Sequence, residues 1–431
     1  MNVYHWRIVT LLLIAGVNLR IAGQGDFPVT IVNKTHNPGI KKIYILVKGN
    51  NPHTRNQCCI EFKSGSSIGT YADLTANTDT TKFSYDYTFF KDNTLHLPPL
   101  ESGRIYISIN TPLVMPIVRD VAGRYSTADP DPQNTTDPSY HLFFDKVEFT
   151  YIDNNTWTNP TAVDFFALPI SITQDGKTYG LAVGRAQVID TVTKAFHAAF
   201  STAWKKLIIK NNEGTVLRIL APGRDNSDRF FDPNYLDGKP YSYIADVWNY
   251  YKKNNVIVDC TELRGNPNAP KLGDYMFTGH VEGDNFIFTN NSKDHTVVLG
   301  RYSQDPTLSN SFFRGAQGIF EAQNNTPKAI IVRSLSAAWC VGLLPLENGA
   351  VLNRQYFLNH TKQFYTDNPR LSPLAKNKGP FYNLYGKAIH ELSTSIYTWS
   401  YDDAFGYDGT NGSTASKPAI LTIWDMSDTK V

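Results

Sequence analysis

Across residues 28–172 apolar side chains recur at every second position, and no other feature narrows the possible folds so far. Ile43, Ile45 and Val47 alternate in "KKIYILVKG", Ile105, Ile107 and Ile109 in "RIYISIN", and Val147, Phe149 and Tyr151 in "FDKVEFTYI". Successive side chains of a strand point to opposite faces, so each run reads as a strand with one buried face. Between the runs, "KGNNPHT" and "TADPDPQNTTDPS" are dense in Gly, Pro, Asn and Asp, the residues of turns. The pattern predicts an antiparallel sandwich or barrel.

Near residue 188 the period changes. The stretch "VIDTVTKAFHAAFSTAWKKLI" places Val192, Phe196, Ala199, Ala203 and Leu207 on one helical stripe, with Asp190 as candidate N-cap. Helical patterns return in "PYSYIADVWNYYKKN", "VRSLSAAWCVGLL" and "NLYGKAIHELST", separated by strand-like "TVLRIL", "NFIFTN" and "TVVLGRY". The carboxy-terminal segment reads as β again, through "SIYTWSYDDAFGYDGT" and "PAILTIWDM". A chain of 431 residues exceeds the roughly 250–300 that one core supports. The expected organisation is a β domain over 24–185 and 391–431, interrupted by a mixed α/β domain over 186–390, with the last strand returning to the first sheet and a groove between the domains.

Charge excludes one class of partner. The chain carries 41 Lys and Arg against 39 Asp and Glu; without Arg7 and Arg20 of the first 23 residues the balance is 39 against 39. No run of basic residues exceeds two, whereas phosphate backbones require clustered cations, so nucleic acid is not an expected partner. Charged residues are 19% of the chain, below the usual ~25%, while Phe, Trp and Tyr make up 13%. A surface of neutral polar groups and rings suits carbohydrate.

The amino terminus sets Arg7 before an apolar run from Ile8 to Val17, with small residues at Ala22 and Gly23, the order of a secretory signal. That run is shorter than the ~20 residues of a membrane helix. Residues 1–23 are therefore expected to be a signal peptide, and the product secreted, extracellular and not membrane-bound. Of the four cysteines, Cys58 and Cys59 are adjacent, so Cys260 with Cys340 is the expected bridge. There is no CxxC or HExxH pattern, and neither a metal site nor another cofactor is expected.

In "FDKVEFTYI" the odd positions belong to the core, so Lys146, Glu148 and Thr150 share the opposite, polar face. Asp164 follows sixteen positions later, beyond "IDNNTWTNPTA", which is polar enough to read as a loop. A strand, a loop and a returning strand can bring both carboxylates to one sheet edge. Paired carboxyl groups suit glycoside hydrolysis, one donating a proton to the leaving oxygen and the other activating water or attacking the sugar. Trp157 stands in that polar stretch, where an exposed indole suggests a ligand contact. Tyr397, Trp399 and Tyr401 alternate along one presumed strand, as a core cluster or as a sugar-stacking platform. Asp402 and Asp403 either hold sugar hydroxyls or cap a plain turn. His390 and Glu391 form a His–Glu step that reads as an ordinary helix surface.

The pair of motifs "KVEFTY" and "TAVDFFALPISI" resembles the "EFT" and "VDGFNLP"-type segments of the thaumatin-like superfamily. "YTWSYDDAFG" is similar to that superfamily's terminal "YSYxxDD" segment, and "FPVTIVNKT" to its first strand. The cysteine-rich framework of the plant proteins is missing, and a long α/β region replaces their small disulfide-knotted domain. These departures resemble another branch, glycoside hydrolase family 64, the laminaripentaose-producing β-1,3-glucanases. The resemblance implies a thaumatin-like β-sandwich or barrel beside a mixed α/β domain, and inverting endo-hydrolysis of β-1,3-glucan such as laminarin or curdlan by a monomer. By the same resemblance Glu148 is the general acid, Asp164 the general base, and Thr150, Trp157 and Thr161 are sugar contacts. The competing expectation is a non-catalytic β-glucan-binding protein of the thaumatin-like kind.

Overall fold

The alternation of the first 170 residues is realised as two sheets packed face to face in a computed structural model. Residues 25–199, 202–223, 243–300, 312–316, 318–371, 379–405, 407, 409–415 and 417–431 are described; the expected signal segment lies outside them. The longer sheet contains β1 (Ile43–Asn50), β2 (Gln57–Phe62), β3 (Gly69–Asp73), β4 (Leu100–Ile109), β5 (Phe144–Ile152), β6 (Asn155–Pro160) and β7 (Asn411–Thr414). They lie in the order β7-β6-β5-β4-β1-β2-β3, each antiparallel to its neighbour, and a short strand Ser84–Asp86 also pairs with β1.

The second sheet runs Lys177–Gly180, Ile170–Gln174, Ala419–Ile423, Phe27–Asn33, Thr94–Leu97. Its inner face meets the odd positions of β4 and β5. Phe27 packs on Phe149 and Tyr151 with ring centroids 6.2 and 5.8 Å apart, among buried Val29, Ile31, Ile105, Ile107 and Val147. Each such side chain contributes about 1.5–3 kcal/mol on leaving water, so the period of two is what holds the sandwich closed. Strand Ala419–Ile423 lies parallel to Phe27–Asn33 and antiparallel to Ile170–Gln174, placing the end of the chain in the middle of the sheet.

The middle of the chain builds a further five-stranded sheet, ordered Thr296–Leu299, Asn285–Asn290, Met276–Glu282, Val256–Asp259, Ala350–Leu352. Helices α1 (Arg185–Ala198), α2 (Tyr243–Tyr251), α3 (Pro327–Cys340) and α4 (Leu384–His390) accompany it. Trp248 of α2 meets Phe286 edge to face at 5.3 Å, and Tyr243 meets Trp339 of α3 at 4.5 Å.

The structure corrects several sequence expectations. Helix α1 starts at Arg185 with Gly184 as N-cap, not at Asp190, which lies inside the helix and pairs with Lys194 one turn on. The helix also stops at Ala198 because Ala199 is extended (φ −68°, ψ 143°), so Ala203 and Leu207 are buried beyond a break rather than on one continuous stripe. The polar stretch after Ile152 is a tight hairpin, not a loop. Asp153 and Asn154 turn with φ of 50° and 61°, the left-handed pair that two-residue hairpins require, and β6 follows at once.

Residues Tyr397, Trp399 and Tyr401 form no strand. Tyr397 makes a single bridge to Thr161, Trp399 is buried, and Tyr401 is left-handed (φ 76°) and exposed. All four cysteines are free and buried. Cys260 lies against the carbonyl of Pro327 at the start of α3, whereas Cys340 ends the same helix, about 20 Å away at 1.5 Å per residue. No bridge can span that. Cys58 and Cys59 face opposite sides of β2.

Candidate active site

The outer face of the long sheet carries a row of polar residues at one level. Lys48 of β1, Arg104 of β4, Glu148 of β5 and Asn159 of β6 are successive register partners across four strands. At another level of β5 and β6, Thr150 faces Trp157, and Trp157 faces Gly412 of β7. Glu148, Thr150 and Trp157 thus share one face, as the alternation of β5 requires. Gly412 has no side chain to cover the indole: a Cβ built there would touch it at 3.6 Å.

Glu148 is held from both sides. Its Oε1 accepts from Arg104 Nε at 3.2 Å and its Oε2 from Asn159 Nδ2 at 3.4 Å, leaving the side chain 16% exposed. The second arm of Arg104 donates to Asp129, which also accepts from buried Lys48. Asp129 follows a hairpin anchored on β2, where Thr127 N and Oγ1 donate to Gln57 Oε1 at 2.6 and 2.9 Å. Partial burial opposes the charge of Asp129, but Lys48 and Arg104 outweigh it and hold its carboxyl well below the usual carboxylate range. Burial drives the Lys48 ammonium downward, against the pull of Asp129.

Lys146 lies two residues before Glu148 on the same face and forms an ion pair with Asp164. A lysine spans only a few ångströms, so this contact brings Asp164, 19% exposed, to Glu148's side of the sheet. The segment carrying Asp164 is clamped by its backbone. Ala221 N donates to Asp164 O at 3.0 Å, Phe165 and Phe166 pair with Leu220 and Ile219, and Tyr385 Oη donates to Ala162 O at 2.7 Å.

Beneath that segment sits Asp145, on the core face of β5. Its carboxylate accepts from Ala167 N at 2.8 Å and Leu168 N at 3.0 Å, and Arg185 Nε reaches Ala167 O at 2.6 Å. Burial pushes the Asp145 carboxyl up to about 6 despite these donors.

The expected sugar contacts divide. Thr150 and Trp157 lie on the open face with Glu148. Thr161 is buried, its hydroxyl 3.4 Å from Val163 N, so it braces the approach to Asp164 instead of presenting itself to a ligand. Asp402 is fully buried. Its Oδ2 accepts from Thr398 N at 2.6 Å and lies 3.5 Å from His390 Nε2, which fixes the turn Asp402–Phe405 and removes the carboxylate from any sugar. Asp403 belongs to that turn, with its side chain outside the described residues. His390, expected on a helix surface, is instead buried, stacked 3.6 Å from Tyr407 and bonded through Nδ1 to Tyr365 Oη at 2.9 Å.

Arg104, Asp129, Asn159 and Asp145 are the site residues that sequence reasoning missed. The alternation in "RIYISIN" already sets Arg104 opposite Ile105, but the register that brings it to Glu148 is not written in either strand. A Gly-x-Ser-x-Gly match over 65–69 lies in a turn before β3, with Ser67 Oγ accepting from Lys91 N, and lacks the strand–turn–helix setting of a nucleophile. Among the described residues no cluster of His, Cys, Asp or Glu could hold a metal ion.

The sequence profile of the Glyco_hydro_64 family, described as β-1,3-glucanase, matches residues 25–423. A glucan endo-1,3-β-glucosidase of Arthrobacter sp. (strain YCWD3) is 26% identical over 324 residues, covering 73% of this chain. The chain spans half the length of that relative. Two solved structures share the fold. The β-1,3-glucanase domain from Clostridium beijerinckii superposes with a TM-score of 0.65 at 21% identity, over 94% of this chain and all of that one. A laminaripentaose-producing β-1,3-glucanase in complex with laminaritetraose gives 0.66 at 22% identity, over 94% and 99%.

Proposed function

This chain belongs to the β-1,3-glucanase family Glyco_hydro_64, and from that premise we propose that it is a secreted endo-1,3-β-glucanase that inverts the anomeric centre. In this reading Glu148 donates a proton to the leaving glycosidic oxygen while Asp164 takes one from the attacking water. The observation that supports it is the Lys146–Asp164 ion pair, which brings the second carboxylate to the side of the sheet that carries the first. Inversion requires the carboxyl groups of Glu148 and Asp164 to stand ~6.5–9.5 Å apart, with a water between them.

The two carboxylates have different supports. Asp164 is paired with the Lys146 ammonium. Glu148, between Arg104 and Asn159, is fixed in direction, so its proton is delivered along one line. Trp157, half-buried opposite a glycine, offers a flat apolar surface on which a glucose ring stacks. The groove is proposed to lie between the β domain (24–185 and 391–431) and the α/β domain (186–390). Residues 1–23 are proposed to be removed on export, which amino-terminal sequencing of the mature protein from culture medium would test.

The deciding experiment incubates wild-type protein and Glu148→Gln with laminarin. The reading requires oligosaccharides from the first, none from the second, and unchanged glucan co-sedimentation. Product from Glu148→Gln at the wild-type rate overturns the acid assignment. Binding without product from the wild type would make the chain a glucan-binding protein. Proton NMR of the newly released end tests inversion, which requires the α-anomer first.

A further inference from the structure

We propose that Arg104 and Asp129 act as a matched pair of positioning residues that sets the protonation of Glu148, Arg104 favouring the carboxylate and Asp129 restraining Arg104. The inference rests on the reading of Glu148 as proton donor. A general acid must hold its proton at working pH, yet Glu148 accepts a hydrogen bond from a guanidinium at 3.2 Å. An unopposed cation at that distance would strip the proton away. The structure supplies the opposition: Arg104's other arm is turned onto Asp129, and the same carboxylate takes up Lys48.

The remaining groups facing Glu148 leave this pair in control. On its own strand, Lys146 pairs with Asp164 and also acts on Asp129. On β4, Tyr106 is buried and its phenol driven well above its ordinary range, first by burial and then by Asp129, so it stays neutral. On β6, Asn159 and Trp157 carry no charge, and on β2 the Cys59 thiol beside Lys48 is pushed up to about 11 by burial. Around Glu148 stand three cations, Lys48, Arg104 and Lys146, and two other carboxylates, Asp129 and Asp164, so loss of Asp129 leaves three cations against one.

The two substitutions move Glu148 in opposite directions. Asp129→Asn frees the charge of Arg104 and of Lys48, so the alkaline limb of the kcat/KM profile on laminarin moves down by about one pH unit. Arg104→Gln moves that limb up by a similar amount, with a lower plateau because Glu148 loses its brace. Arg104→Lys, which keeps the charge, returns the limb towards wild type. A purely structural role would lower rates without opposed shifts.

Titration of Glu148 by carbon-13 NMR, its resonance assigned with Glu148→Gln, reads the same displacement without turnover. Opposed shifts in this titration or in the rate profile support the proposal. Coincident curves, or shifts of one sign in both variants, overturn it. A wild type that titrates as described but releases no oligosaccharide sinks the glucanase reading and the donor role of Glu148, while the control of its protonation by Arg104 and Asp129 stands.

Discussion

Lys146 and Asp164 form an ion pair across the gap between β5 and the segment that follows β6. In the proposed reaction Lys146 thereby serves the base, Asp164, rather than the acid two residues away on its own strand. Lys146→Met keeps the length of the stem and removes the charge. The expected result is a fall of about 10–100-fold in kcat with KM within a few-fold of wild type, since a general acid–base group contributes about 10²–10⁴-fold and only its support is lost. Steady-state kinetics on laminarin check it; an unchanged kcat would show that Asp164 needs no such partner.

Trp157 predicts the reverse split. Its indole is half-buried on the open face and contributes little to the core, so Trp157→Ala should leave the melting temperature nearly unchanged. Loss of a stacking contact of about 0.5–1.5 kcal/mol corresponds to a rise in KM, or in Kd for laminari-oligosaccharides, of about 2–12-fold. Calorimetric titration of the Glu148→Gln protein, with and without Trp157, measures this free of turnover.

Asp145 predicts a pH-dependent stability. Burial raises its folded-state value from near 4 to about 6, so between those values the folded chain holds a proton that the unfolded chain has released. Stability must then fall as pH rises through that window, by on the order of 2–3 kcal/mol, and level off above it. Asp145→Asn cannot titrate. The wild-type minus variant difference in unfolding free energy, from denaturant titrations between pH 4 and 7, should decline with rising pH; a flat difference contradicts the assignment.

The cysteines give a fourth expectation. With all four free and buried, dithiothreitol should leave the melting temperature unchanged, and Ellman's reagent should find four thiols in denaturant without prior reduction. In the native protein reaction should be slow, because burial pushes Cys58 up to about 12 and Cys59 up to about 11. Two thiols in denaturant would mean that a bridge had formed.

The sandwich was legible because its inner faces are written in aliphatic and aromatic side chains at every second position. The hairpin strand β6 was not, because its inward residues are Thr156, Thr158 and Pro160 and its partly exposed face carries Trp157, the reverse of the usual polarity. Glu148 could be assigned to the outer face from alternation alone, and the resemblance of its motif supplied a role. What escaped was everything set by register or by backbone donors. Arg104 meets Glu148 only because β4 and β5 align at that step. Asp145 occupies a core position where an unpartnered carboxylate would be costly, satisfied there by the amides of Ala167 and Leu168. Of the two readings the sequence left open for Asp402, sugar contact or turn cap, the buried carboxylate matches the turn cap, accepting from Thr398 N.

The placement of Ala419–Ile423 between Phe27–Asn33 and Ile170–Gln174 bears on how such a molecule is made. Until Ala419–Ile423 emerge from the ribosome, strand Phe27–Asn33 has no neighbour along one whole side, and nearly four hundred residues separate the partners that must meet. Assembly of this sheet therefore has to wait for that late strand, and a nascent chain, or one clipped before it, carries an open, sticky edge.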